Sequence, residues 1–265
     1  MKTLIVVQAR TASTRLPGKV LLPLAGRPLL EQIVRRVLAA RSTFELVVAT
    51  TSGAEDQAIR ELCSRLDIRC YSGHPTDLLD RHYRAAVNLR ADVVIKIPSD
   101  CPMIDPAVID RTIAFFLANL GHYDYVSNLH PATYPDGNDV EVIPFDILAH
   151  AWLEASYPYE REHTTPYIWD QPDRFRIGNV AWETGLDYSM AERWTIDYPE
   201  DYQLIKTVYD HLYSESSIFS IADVLDLLDR QPAIRDLNRR YLGVNWYRHN
   251  LGQLQTVSER QTRII

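Results

Sequence analysis

Short continuous apolar runs alternate with amphipathic stretches along the first half of the chain. TLIVV is followed by a helical pattern from about Leu29 to Arg41, ELVVAT by one from Asp56 to Leu66, and IRCYS by one from Leu78 to Asn88. DVVIKI then precedes a helix from about Pro106 to Leu120 and a further short run, YDYVS. β-branched runs separated by helical patterns of about 10 to 15 residues predict βαβ units, and their lack of alternation predicts a mainly parallel sheet covered on both faces. Pro28 and Pro106 mark first-turn positions, and Asp77 is placed to cap LLDRHYRAA.

After Ser127 the pattern changes. The turn-rich NLHPATYPDGND leads into the alternating VEVIP, which predicts a hairpin or an irregular antiparallel excursion and so a mixed sheet. Helices from about Asp146 to Ser156, through Glu162 to Trp169 and from Glu200 to Tyr213 follow, with strands near Phe175 to Val180 and Arg193 to Ile196. Ser220 is placed to cap IADVLDLLDR. No repeat or linker divides the chain, so residues 1–245 are expected to form one domain, with 246–265 a loosely held tail.

Composition narrows the class. The 265 residues are 46% hydrophobic, enough for a full core, and the formal charge is -7. An acidic chain is a poor general binder of nucleic acid. MKTLIVV meets Arg10 too soon for a signal segment, and no apolar run reaches the roughly 18 residues of a membrane span. Three cysteines lack CxxC or Cys/His metal spacing, which argues against zinc and against a disulfide framework. The expectation is a soluble cytoplasmic protein with neither a nucleic-acid nor a membrane partner.

Against that acidic background, the first thirty residues contain no Asp or Glu, while Arg10, Arg15, Lys19 and Arg27 follow one another. In an open parallel sheet, ligands bind beyond the carboxyl ends of the strands. The loop after the first strand supplies Arg10, Ser13, Arg15, Gly18 and Lys19: two guanidinium forks, an ammonium, and a glycine that permits close backbone approach. Those parts suit a polyphosphate. A Walker loop is excluded, because it would need Gly at Ser13 and Ser or Thr at Val20, and no GxGxxG is present. Asp100 follows DVVIKI and Asp197 follows RWTI; each reads as a turn or helix cap or as a metal carboxylate.

RxxSxRLPGK, here Arg10 to Lys19, together with AGRP, resembles the nucleotide-binding signature of cytidylyltransferases that activate acidic sugars, the 3-deoxy-manno-octulosonate and acylneuraminate enzymes. LLDRHYRAA, SDCPMIDP, PDGNDVEV, EREHTTPYI and WTIDYPEDY extend the similarity to the spore-coat polysaccharide branch over roughly residues 1 to 210. The resemblance implies a Rossmann-like nucleotide-diphospho-sugar transferase (GT-A-like) fold. It also implies Mg²⁺-dependent transfer of CMP from CTP to a sugar acceptor, with pyrophosphate leaving.

In that scheme Arg10, Arg15 and Lys19 are the catalytic cations, and Asp100 and Asp197 hold Mg²⁺, a hard ion that takes one or two protein carboxylates. The base lies against Gln8 and Ala9, with Asp77 and Arg81 near the pyrimidine; Asp77 is equally a cap and Arg81 a surface partner of its neighbours. Asp139 and Glu141, Arg161 and His163 are candidates for the acceptor pocket, while EREH also reads as a salt-bridged helix start. Ser99 replaces the family's usual glycine before the metal aspartate, near the ribose, and Asn138 replaces a common apolar residue. The family also implies a homodimer, for which YPYEREHTTPYIWDQP is either a surface or core. Alternatives are a glycosyltransferase on the same fold, using a ready-made nucleotide sugar, and a catalytically silent nucleotide binder.

Overall fold

The structure, a computed structural model, describes residues 1–265. Seven strands form one sheet: β1 (Thr3–Gln8), β2 (Glu45–Thr51), β3 (Arg69–Gly73), β4 (Val93–Pro98), β5 (Tyr125–Ser127), β6 (Glu141–Pro144) and β7 (Ile177–Asn179). Their spatial order is β3-β2-β1-β4-β6-β5-β7, with every neighbouring pair parallel except those made by β6, which runs antiparallel to β4 and β5. The chain moves outward from β1 in one direction and returns on its other side at β4, so β1 and β4 flank the switch point where α/β sheets bind ligands. Gln8 and Pro98 are register partners there. The two loops singled out in the sequence therefore leave the sheet side by side.

Alternate residues of the central strands face opposite layers, as the pleat requires. Ile5, Val7, Val48, Ile95 and Ile97 are buried against α1 (Leu29–Leu38), α2 (Gln57–Arg65), α4 (Pro106–Ala118), α8 (Pro199–Leu212) and α9 (Ile221–Arg230). Leu4, Val6, Val47, Ala49 and Val94 are buried against α3 (Leu78–Leu89) and α5 (Phe145–Glu154). Asp77 caps α3 by accepting from the Asp80 amide at 2.8 Å, and Ser220 caps α9 in a reciprocal pair with Asp223. No helix is long and apolar enough to cross a membrane.

Three segments differ from expectation. The helix expected from Glu162 to Trp169 is two short helices, α6 (Pro158–His163) and α7 (Pro166–Trp169), broken at Thr164 with φ 75°. Pro166 lacks the amide that would continue α6 and instead starts α7. Arg193 to Ile196 is not a strand but an extended segment with one bridge, Asp136 to Arg193. Residues 246–265 are no loose tail: Leu254 and Val257 are buried in the α3/α5 layer, and Asp170 accepts from the amides of Gln255 (2.9 Å) and Thr256 (2.8 Å). The sequence hid this because the apolar anchors are scattered without a period: Leu254 and Val257 are buried, and Trp246, Tyr247 and Leu251 pack against the same layer.

The stretch YPYEREHTTPYIWDQP is largely interior, with Tyr159, Tyr167, Ile168 and Trp169 buried. Before β6, Gly137 has φ 107°, and a Cβ there would lie 2.7 Å from the backbone carbon of Trp194. Gly137→Ala is expected to destabilise by about 1–3 kcal/mol from the dihedral alone. Chemical denaturation checks this; an unchanged midpoint would mean that the backbone relaxes freely.

Candidate active site

Thr11 anchors the loop after β1. Its amide and hydroxyl both donate to Asp56, each at 2.7 Å, and its carbonyl accepts from the amides of Ser13 and Gly18, each at 2.9 Å. Gly18, at φ 69°, thus closes the loop on itself instead of offering its amide to a ligand. The amides of Ala12, Thr14 and Arg15 make no hydrogen bond within the protein. Ser13 accepts from the Leu16 amide at 3.3 Å, a turn role.

Lys19 opens the short helical turn that follows and reaches back beneath the loop. Its ammonium donates to Asp100 at 2.9 Å, to Asp197 at 3.1 Å and to the Ile196 carbonyl at 2.5 Å. Arg15 reaches Asp197 from the open side at 2.6 Å. Burial alone would lower the Lys19 ammonium, but the two carboxylates hold it above its ordinary value. Burial likewise opposes ionisation of Asp197, yet Lys19, Arg15 and Arg193 hold its carboxyl well below the usual range. The Ile196 amide donates to the Asp100 carbonyl at 2.8 Å, which stitches together the two segments that carry the aspartates.

Arg15, Asp100, Arg193 and Asp197 from this cluster line a cavity of about 720 Å³, with Lys19 directly behind the two aspartates. Gln8, Arg15, Asp100, Asp139, Glu141, His163 and Asp197 all line it, so the structure brings these sequence-predicted residues together. Asp139 lies just before β6, not on it, and accepts only from the Gly137 amide at 3.4 Å. Burial and the nearby Glu141 charge push its carboxyl up to about 6. Glu141 is committed elsewhere: it pairs with Lys96, its register partner on β4, and accepts from the Tyr125 hydroxyl at 2.6 Å. His163 stacks on Trp246, and burial lowers its imidazole to about 3, leaving it neutral.

The remaining predicted residues lie outside the cavity wall. Arg161 does not reach it; its guanidinium binds Asp77 at 2.6 and 2.8 Å and the Trp152 carbonyl at 2.7 Å. Asp77 is therefore both cap and ion-pair partner. Arg10 turns toward the β3–α3 loop, donating to the Pro75 carbonyl at 3.2 Å. Arg81 is no surface residue: it is 1% exposed, its Nε and Nη1 have no acceptor, and burial followed by the Arg10 charge lowers it to about 10. Gln8 Oε1 is also buried without a donor. Such groups are costly unless something satisfies them. The Ala9 amide is used within the sheet, on the Ala49 carbonyl at 2.9 Å, and Ser99 is buried beside the site. Asn138 faces inward, accepting from the Asp105 amide at 3.0 Å and donating to the Pro135 carbonyl at 3.2 Å, so its effect on the pocket is through the loop it holds.

Sequence reading missed Arg193 and Lys96. Arg193 is 1% exposed and binds Asp201 and Asp197, each at 3.0 Å, as well as Asp136 at 3.4 Å. Its signal was Arg at one position with Asp four and eight residues later. Lys96 stood in plain view as a charge inside the apolar run DVVIKI. It is placed on β4 directly opposite Glu141.

An open sheet with this strand order, a carboxylate-free cationic loop at its switch point and two aspartates across from it define a nucleotidyltransferase of the nucleotide-diphospho-sugar transferase fold. Residues 4–231 match the cytidylyltransferase family, and the chain belongs to that family. It is 30% identical over 235 residues to the spore coat polysaccharide biosynthesis protein SpsF of Bacillus subtilis, covering 86% of this chain and 95% of that protein. A 3-deoxy-manno-octulosonate cytidylyltransferase of Geobacter sulfurreducens is 36% identical over 114 residues, 43% of this chain and 45% of that one. The solved structure of a cytidylyltransferase from Leptospira borgpetersenii superposes with a TM-score of 0.84 at 31% identity, covering 89% of this chain and 97% of that one.

Proposed function

We propose that this enzyme transfers CMP from CTP to a hydroxyl of a free sugar acid, releasing pyrophosphate, in the synthesis of a surface glycan. The observation that carries the reading is Lys19 held between Asp100 and Asp197 beside a cavity whose adjoining loop has cations, free amides and no acids. The names of the relatives support the sugar-acid class. Arg81 and Gln8 offer unmatched buried donors and an unmatched acceptor. A cytosine ring, with acceptors at O2 and N3 and a donor at its amine, complements them.

Mg²⁺ fits the donor set. Asp100 and Asp197 are hard oxygen donors lining one cavity, and Asp100 Oδ1 meets nothing in the protein but the Cys101 thiol at 3.7 Å. Burial pushes that thiol up, so it stays protonated and is no competing soft ligand. Bound there, the ion would neutralise phosphate charge.

The protein's own groups supply the rest. Arg15, Lys19 and the amides of Ala12 and Thr14 hold the triphosphate so that the acceptor oxygen attacks the α-phosphorus in line with the bond to the β-phosphate. As the new P–O bond forms, the bond to pyrophosphate breaks. Asp139, ionised above about 6, takes the proton of the attacking hydroxyl.

A thermal-shift panel of CTP, UTP, ATP, GTP and nucleotide sugars, each with and without Mg²⁺, tests the reading. CTP with Mg²⁺ at 100 times its Kd is expected to stabilise by about 2.7 kcal/mol. A shift with a nucleotide sugar and none with CTP would instead indicate a glycosyltransferase. Binding of CTP without turnover on any acceptor would indicate a silent binder.

A further inference from the structure

Part of the cavity wall is built from residues beyond the family-matched span, which stops at 231. Gly243 to Tyr247 and Thr256 to Gln261 together supply that wall. The wall is fixed at both ends. Arg193, which holds Asp197, also donates to the Val244 carbonyl, and Asn245 Nδ2 donates to the Gln261 carbonyl at 2.8 Å. With Asp170 holding Gln255 and Thr256 and with Leu254 and Val257 buried, the segment is a docked strap.

Two features of the strap bear on what the cavity can hold. The Trp246 ring stacks on His163 at 3.8 Å with planes 15° apart, and Tyr247 meets Trp246 edge to face at 4.7 Å. A broad aromatic surface of this kind packs against the apolar C–H face of a sugar ring. The second feature is charge. Arg15, Lys96 and Arg193 line the cavity, but each is already paired with a carboxylate. Arg260 also lines it, at the exposed rim, and its guanidinium makes no hydrogen bond or ion pair. Asp139 and Asp187 line the same space without an ion-pair partner, so an anionic acceptor would be repelled without a free cation.

We propose that the strap selects the acceptor: Arg260 binds the sugar-acid carboxylate and Trp246 carries the sugar ring. The inference rests on the proposed cytidylyl transfer and adds to it the residues that discriminate among sugars. A guanidinium fork matches a carboxylate with two parallel hydrogen bonds, and such charge-assisted contacts are strong enough to set specificity.

The test measures pyrophosphate release with saturating CTP and Mg²⁺ for 3-deoxy-manno-octulosonate and N-acetylneuraminate, each also as its uncharged methyl ester. Wild-type enzyme is expected to prefer an acid over its ester. Arg260→Gln is expected to raise KM for the acid by about 10- to 100-fold, the range for losing a charged hydrogen bond. KM for the ester and the CTP–Mg²⁺ thermal shift should stay unchanged, and Arg260→Lys should recover part of the loss. Trp246→Ala is expected to raise KM for acid and ester alike. Equal KM values for Arg260→Gln and wild type, or turnover of esters in preference to acids, would overturn the proposal while leaving cytidylyl transfer intact. Failure of either acid to react, with the CTP shift present, would also overturn it. Absence of the CTP shift in the wild type would remove the underlying reading itself.

Discussion

Asp100→Asn and Asp197→Asn are each expected to lower kcat by at least about 10³-fold, equivalent to roughly 4 kcal/mol of transition-state stabilisation. Both carboxylates face one lysine beside the cavity, and in the proposed reaction they would hold the Mg²⁺ that offsets phosphate charge and fix the lysine that meets it. The amide is isosteric and still accepts a hydrogen bond, and so folding should survive. For Asp197, stability gives a second readout. The depressed Asp197 carboxyl contributes stability that is present above the ordinary carboxylate pKa and lost as pH falls through its lower folded value. Asp197→Asn should therefore melt below wild type at neutral pH, with the gap closing in acid. Steady-state pyrophosphate release and a melting series across pH check both parts. Near-wild-type turnover in either variant would remove that residue from the catalytic end.

Arg193→Met is expected to cost about 3–5 kcal/mol, the range for removing one partner from a buried ionic cluster. Arg193 is 1% exposed and Asp201 is fully buried, and the guanidinium also meets Asp136, Asp197 and the Val244 carbonyl. Methionine matches much of the volume but leaves these acids uncompensated. With roughly 2–4 °C lost per kcal/mol in a domain near this size, the melting temperature should fall by about 6–20 °C. Adding Asp201→Asn should recover part of that loss, because it removes one of the stranded charges. A single variant that melted with wild type would show that water or rearrangement compensates the acids.

Much of the architecture was legible because parallel strands buried on both faces write themselves as β-branched runs, and TLIVV, ELVVAT and DVVIKI became three adjacent interior strands of the sheet, β1, β2 and β4. The antiparallel β6 was legible as alternation in VEVIP. What escaped was set by long-range contact. Arg193 to Ile196 reads as a strand from its side chains, but the segment spends its hydrogen bonds on Asp100 and Asp136 and so stays outside the sheet. Arg161 and Asp77 lie 84 positions apart, and only the packing of α6 against α3 makes them a pair. The cationic loop was readable as local spacing in RxxSxRLPGK, and Asp139, Glu141 and His163 were readable as cavity residues, whereas the part of the cavity wall between 243 and 261 comes from a segment that no periodicity marks.

Lys19 between its two aspartates also bears on the order in which ligands arrive. Asp100 and Asp197 are matched by Lys19, Arg15 and Arg193, so that corner is already electrically satisfied and holds little attraction for a bare divalent cation. In the proposed reaction a nucleotide triphosphate would compete for the same lysine and arginine, and by drawing them off would free the carboxylates. The empty enzyme should thus be nearly indifferent to Mg²⁺ alone, with metal affinity created by the nucleotide that accompanies it.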